Sequence, residues 1–305
     1  MKIKVKVLNV IIALIMMAAL LTGCRNDDSY VPSPADAGEP DNITTVEDIN
    51  LEEVDYSEYF NGLEGTAVFF NAGERTYYIY NRELAELPTS PCSTFKIISG
   101  LMGLESGVID ASNSTRQWSG IHYPVAAWNN DLDFIQAFRD TAIWYFREVI
   151  DLMGEGYVQS ILDNLNYGNR DISQWEGSLN NIMFPALRDS RELNGFWHES
   201  SLEISPMQLV DVLYRIFEER DIFSQDSLNV MKEAMYTENN DSSITIYGKT
   251  GSGITDEDWV NAWFAGMFED NGNTTYFAIR INQPDARGAQ SREVAINIIN
   301  GEFVR

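Results

Sequence analysis

Residues 91–110 read PCSTFKIISGLMGLESGVID. Pro91 bars helix before it, and Ile97, Ile98, Leu101, Met102 and Leu104 recur at helical spacing after it. The pattern predicts an apolar helix with Ser93 and Lys96 at its start. Residues three apart share a helix face, so the Ser93 hydroxyl and the Lys96 amine can meet. Free backbone N–H groups and the positive dipole end favour negative charge developing there. A serine beside a potential base at such a position suits covalent acyl transfer. Taken alone, the stretch also allows Ser93 to be a helix cap and Lys96 a solvated lysine.

Working outward, residues 65–70 and 76–80 are β-rich runs around Asn71-Ala72-Gly73-Glu74-Arg75, an antiparallel hairpin. Residues 133–163 follow a helical pattern broken at Gly154-Glu155-Gly156, and another helix begins after Ser205-Pro206. Strands return at 243–247 and in a hairpin of 260–269 with 274–281, turning at Asp270-Asn271-Gly272-Asn273. A last helix is predicted over about 290–300. Strands at both ends and helices between predict an α+β fold. Its antiparallel sheet is formed from both termini of the body, flanked by helices, with a helical subdomain inserted at about 91–205. A site would lie in the cleft between the two parts.

The chain begins with a basic, then apolar segment. Lys2, Lys4 and Lys6 precede the apolar run 7–20, which ends in Leu21-Thr22-Gly23-Cys24. The run is short for a membrane span. This resembles a bacterial lipoprotein signal, and implies cleavage after residue 23 and lipidation of Cys24. The expected product is exported and held at a membrane by its lipid, facing the extracytoplasmic side. Residues 24–55 are polar, acidic and Pro-bearing, which reads as a flexible tether, and 56–305 as the folded body.

Taking the three early lysines from the 21 basic side chains leaves 18 against 46 acidic ones. Such an excess argues against a nucleic-acid partner, and any anionic substrate needs local positive groups. Apart from Cys24, Cys92 is the one cysteine, so no internal disulfide is expected, and a small buried residue beside Ser93 is the plainer role for it. His122 and His198 lie in no metal-ligand spacing, and no metal site is expected.

Further motifs follow Ser93 in order: AAWNND at 126–131, Thr141-Ala142-Ile143, Tyr167-Gly168-Asn169, FWHESSLEISP at 196–206, and Lys249-Thr250-Gly251-Ser252-Gly253 closing a strand. Lys249 and Thr250 offer an ammonium and a hydroxyl to a carboxylate, and the glycines let backbone approach a ligand. If Ser93 sits opposite that strand edge, the N–H groups of Ser93 and Ser252 could share an oxyanion. Tyr-Gly-Asn is good turn chemistry and is expected to be structural. Trp128 and Trp144 read as core, and His198 as incidental.

Over roughly 60–300 the chain resembles a class D, oxacillinase-type, serine β-lactamase of the penicillin-recognising superfamily, whose Ser-x-x-Lys and Lys-Thr-Gly elements match here. The resemblance implies that Ser93 is acylated by β-lactam antibiotics. It implies Lys96 as base, carrying carbon dioxide as a carbamate and needing no other cofactor, within walls that include Ile143 and Trp197. Thr141 takes the proton-relay position, and Lys249, Thr250, Gly251 and Arg292 the substrate-binding ones. Only a neutral amine adds carbon dioxide, and burial among Phe95, Ile143 and Trp197 would favour neutrality. The chain departs from the family in having Thr141-Ala142-Ile143 for Ser-x-Val, a long 174–195 segment before Trp197, and Ser252 where a bulky apolar residue stands. The expected reaction is β-lactam hydrolysis. A penicillin-binding sensor or a transpeptidase-like protein that acylates without efficient turnover is the alternative.

Overall fold

The computed structural model describes residues 49–178, 187, 190–219, 221–239, 243–255 and 258–304. The signal segment, Cys24 and most of the tether lie outside the described residues, as does much of the 174–195 segment. The described strands are β1 (Asn50–Glu53), β2 (Gly65–Asn71), β3 (Thr76–Tyr80), β4 (Tyr236–Thr237), β5 (Ile244–Thr255), β6 (Asp258–Asp270) and β7 (Asn273–Ile281). They form one sheet in the order β1-β3-β2-β7-β6-β5-β4. The described α-helices are α1 (Ser57–Phe60), α2 (Arg82–Glu86), α3 (Lys96–Glu105), α4 (Phe134–Arg139), α5 (Ile143–Met153), α6 (Glu155–Leu165), α7 (Pro206–Tyr214), α8 (Gln225–Met235) and α9 (Gly288–Ile298). The α+β expectation therefore holds, with strands from both ends of the body joined between β2 and β7.

Alternation along the strands explains the layering. Val68 and Phe70 of β2 point into the larger core with α3, α5 and α7, whereas Ala67 and Phe69 point into a smaller core with α9. The same switch recurs in β6 between Trp263 or Ala265 and Ala262 or Phe264. Strands buried on both faces need cover on both, and helices supply it.

Three expectations need correction. The sheet is mixed, because β1 pairs parallel with β3. That strand also lies at 50–53, inside the stretch read as tether. All four of its side chains are exposed, so its pairing is by main chain and leaves no hydrophobic signature. The 133–163 pattern also contains a second break, at 140–142 between α4 and α5. Thr141 there has φ +61°, a left-handed conformation uncommon for a β-branched residue.

Helix starts match their chemistry. Ser205 and Gln208 form a reciprocal capping box with Pro206 at the first turn of α7. Tyr167-Gly168-Asn169 is structural, as expected. Gly168 has φ +48°, and a Cβ on it would fall 1.9 Å from the Glu203 carbonyl oxygen. Asn169 donates to the Ser201 carbonyl and accepts from the Glu203 N–H, which ties this turn to the segment before α7.

Candidate active site

The nucleophile segment differs in one detail from its expectation. Cys92–Phe95 is a 3₁₀ turn that leads into α3 at Lys96. No side-chain cap bond involves Ser93, so its hydroxyl is not consumed by the helix start. Instead the Lys96 amine lies 3.1 Å from Ser93 Oγ. Lys96 is 1 % exposed and Ser93 5 % exposed. The solvated-lysine reading is thereby excluded.

The walls around the amine are aromatic. Phe95 stacks on Trp197 with centroids 6.1 Å apart, and Lys96 Nζ lies 5.4 Å from the Phe146 ring centre. Burial first, and the charge of Lys249 second, hold the Lys96 amine well below its ordinary value. A protonated amine in this setting would lack both water and a carboxylate partner, so the neutral base is the favoured form. The residues present fit a lysine carbamate in this respect: the amine is neutral and sheltered. Ile143 is buried at the first position of α5.

The second lysine arrives from β5. Lys249 is also buried, and burial pushes its amine down to about 7. Its Nζ donates to Thr141 Oγ1 at 2.7 Å and to the Thr250 carbonyl at 3.1 Å. The break at Thr141 is what presents that hydroxyl. Trp128 Nε1 donates to the Asp140 carbonyl at 2.8 Å, and Trp144 Nε1 to the Trp128 carbonyl at 3.1 Å. These core indoles hold the turn on which Thr141 sits.

β5 runs beside the nucleophile turn. A Cβ on Gly251 would meet the Pro91 carbonyl oxygen and Thr94 Cγ2, both at 3.3 Å, so glycine permits the close approach. Ser252 turns its side chain away, accepting from Gly288 N–H at 2.9 Å. Among the described residues, β4 covers β5 only at Ile246 and Tyr247, which leaves the 249–253 edge without a neighbouring strand. A cavity of about 410 Å³ opens along that edge, lined by Lys249, Thr250, Arg292, Arg139, Phe138 and Tyr236. The volume suits a small molecule, and Arg139, Lys249 and Arg292 outnumber Glu238 in the lining, which suits an anion. The structure thus joins Ser93 to Lys96 and Thr141 to Lys249 by hydrogen bonds, and lines the cavity with Lys249, Thr250 and Arg292 but not with Ser93, Lys96 or Thr141.

Other residues were read differently or not at all from sequence. His198, read as incidental, is 1 % exposed, and burial pushes its imidazole down to about 4. Arg147, 2 % exposed, lies over the Trp197 ring at 5.7 Å, donates to the Trp175 carbonyl at 2.6 Å and pairs with Asp151. Arg191 pairs with Asp151 and Glu176, extending that network to the surface. Charged residues in a helical pattern give no sign of such burial. Among the described residues no cluster of His, Cys, Asp or Glu could hold a metal ion.

A family model described as the penicillin-binding protein transpeptidase domain matches residues 62–300. The chain is 31% identical to the regulatory protein BlaR1 of Bacillus licheniformis over 254 residues, covering 82% of this chain and 39% of that protein. It therefore spans about two fifths of the length of that relative. Among solved structures, the C-terminal domain of the Bacillus licheniformis BlaR penicillin-receptor aligns with TM-score 0.73 at 30% identity, covering 84% of this chain and 98% of that one. A class D β-lactamase from Bacillus subtilis aligns with TM-score 0.70 at 27% identity, covering 81% and 94%.

Proposed function

Because the chain belongs to the penicillin-binding protein transpeptidase domain family, we propose that it is acylated by β-lactams at Ser93 and hydrolyses the acyl-enzyme. The observation that carries this reading is the 3.1 Å contact between Ser93 Oγ and a buried Lys96 amine. Lys96 Nζ takes the hydroxyl proton as Oγ attacks the lactam carbonyl carbon. The carbonyl oxygen gains negative charge between the N–H groups of Ser93 and Ser252. As the C–N bond breaks, its electrons go to the ring nitrogen. The Thr141 hydroxyl passes its proton to that nitrogen while taking one from Lys249, to which it is already hydrogen-bonded, and the proton held at Lys96 restores Lys249 and leaves Lys96 neutral. Lys249, Thr250 and Arg292 offer charge and a hydroxyl to the substrate carboxylate.

Turnover requires water to attack the resulting ester. As a carbamate formed before acylation, Lys96 would supply a carboxylate base for that step and, in place of the bare amine, for the Ser93 proton. Added bicarbonate should then raise turnover of a chromogenic cephalosporin. The second reading is a penicillin sensor that stays acylated, favoured by the 31% identity to BlaR1. Repeated turnovers per protein molecule support the hydrolase. One stoichiometric burst followed by silence supports the sensor.

Attachment through Cys24 to a membrane belongs to the same proposal, supported by the basic, apolar and Leu-Thr-Gly-Cys pattern. Incorporation of labelled fatty acid, lost in Cys24→Ala, tests it.

A further inference from the structure

Behind the nucleophile lies a partly buried polar cluster with no part in the chemistry above. Glu199 Oε1 accepts from the Cys92 thiol at 3.2 Å and from Asn261 Nδ2 at 3.0 Å. Asn261 stands on β6 opposite Gly253 of β5, and its Nδ2 also donates to Thr89 Oγ1 at 2.9 Å. A Cβ on Gly253 would fall 1.7 Å from the same carboxylate oxygen and 2.8 Å from Cys92 Sγ. The carboxyl group therefore occupies the space a side chain at 253 would need. Ser90 closes the cluster: its Oγ donates to the Trp197 carbonyl at 2.9 Å and accepts from Glu199 N–H at 2.8 Å.

The sequence positions of these contacts matter. Cys92 immediately precedes Ser93, and Gly253 immediately follows Ser252. One donor to that carboxylate oxygen, Cys92, and the glycine packed against it, Gly253, thus flank the two residues whose N–H groups are assigned to the oxyanion. Cys92 has φ +49°, a conformation that a non-glycine residue holds only when its surroundings fix it. An oxyanion hole works through donors fixed before charge develops, so a small drift between turn and strand weakens it.

We propose that Glu199 is a positioning residue for the oxyanion hole, clamping the Cys92 turn to the Gly253–Asn261 strand pair so that Ser93 and Ser252 face one oxygen. The inference rests on the reading of Ser93 as the acylated nucleophile. Glu199→Gln would keep the accepting oxygen, whereas Glu199→Ala would remove it. In stopped-flow acylation with a chromogenic cephalosporin, Glu199→Ala lowers the limiting acylation rate at least tenfold. The preceding non-covalent dissociation constant stays within threefold, and Glu199→Gln restores the rate to within threefold of wild type. A merely structural role would instead move rate and melting temperature together in both variants. Should Glu199→Ala not fold, Glu199→Asp, one methylene short of both donors, reads the same step and is slowed at least tenfold. Wild-type acylation rates in the Ala or Asp variant, or a Gln variant as slow as Ala, would overturn the clamp. Absence of a Ser93 adduct in the wild-type protein, scored separately by intact mass, would overturn the acyl-transfer reading itself.

Discussion

Replacing Lys96 with methionine should make the protein less active and more stable, with a pH signature that identifies the cause. The folded state holds the Lys96 amine neutral, because burial and the Lys249 charge lower its pKa well below 10.5. The unfolded chain binds a proton there up to about pH 10.5. Below that value the unfolded state therefore carries more protons, and stability rises with pH until the ordinary lysine value is reached. At pH 8, well below the ordinary lysine value, the fold bears this cost. Methionine has similar length and no such cost, but forgoes the bond to Ser93, worth about 1 kcal/mol. The Met variant is thus expected to be more stable than wild type at pH 8. At pH 10 the unfolded chain binds its proton less firmly, so the cost and the gain both shrink. Urea unfolding of both proteins at the two pH values, in buffer free of carbon dioxide, measures it. A Met variant less stable than wild type at pH 8, or a difference that does not change between pH 8 and pH 10, would refute a neutral buried Lys96.

Lys249 makes a second pH prediction. Burial pushes its amine down to about 7, so the charge that attracts a substrate carboxylate is present below pH 7 and lost above it. Non-covalent affinity for an anionic β-lactam should be about tenfold weaker at pH 8 than at pH 6, read from the concentration dependence of acylation. Unchanged affinity would place the needed charge elsewhere. Gly168→Ala should cost about 2 kcal/mol or more in denaturant unfolding, because φ +48° and the Glu203 carbonyl both exclude a Cβ. Arg147→Met should cost about 3 kcal/mol by leaving buried carbonyls unpaired and freeing the Trp197 wall. A variant as stable as wild type would show that the network holds nothing.

Much of this site was legible in sequence because its chemistry sits in local patterns. Spacing puts Ser93 and Lys96 on one face and Lys249-Thr250 at a strand that ends in glycines, and the ordered set of motifs, not either pattern alone, marks them as a site. What was not legible depends on tertiary contacts. The break at Thr141 left no mark because buried Phe134, Phe138, Tyr145 and Val149 keep a near-helical rhythm across it. The turn is selected by the Trp128 indole and the Lys249 ammonium, neither of them near in sequence. Glu199 lies in a polar run, Glu-Ser-Ser, that resembles surface. Only the folded chain brings it beneath Cys92 and against Gly253. β1 was missed for the opposite reason, since its exposed side chains say nothing about a main-chain pairing.

Intact-protein and peptide mass, followed in time after addition of penicillin, bears most directly on the claim that an uncharged Lys96 draws the proton from Ser93. The expected result is one adduct on the peptide carrying Ser93, formed at least about 100-fold more slowly in Lys96→Met. An adduct on another residue, or a Met variant acylated at the wild-type rate, would contradict it.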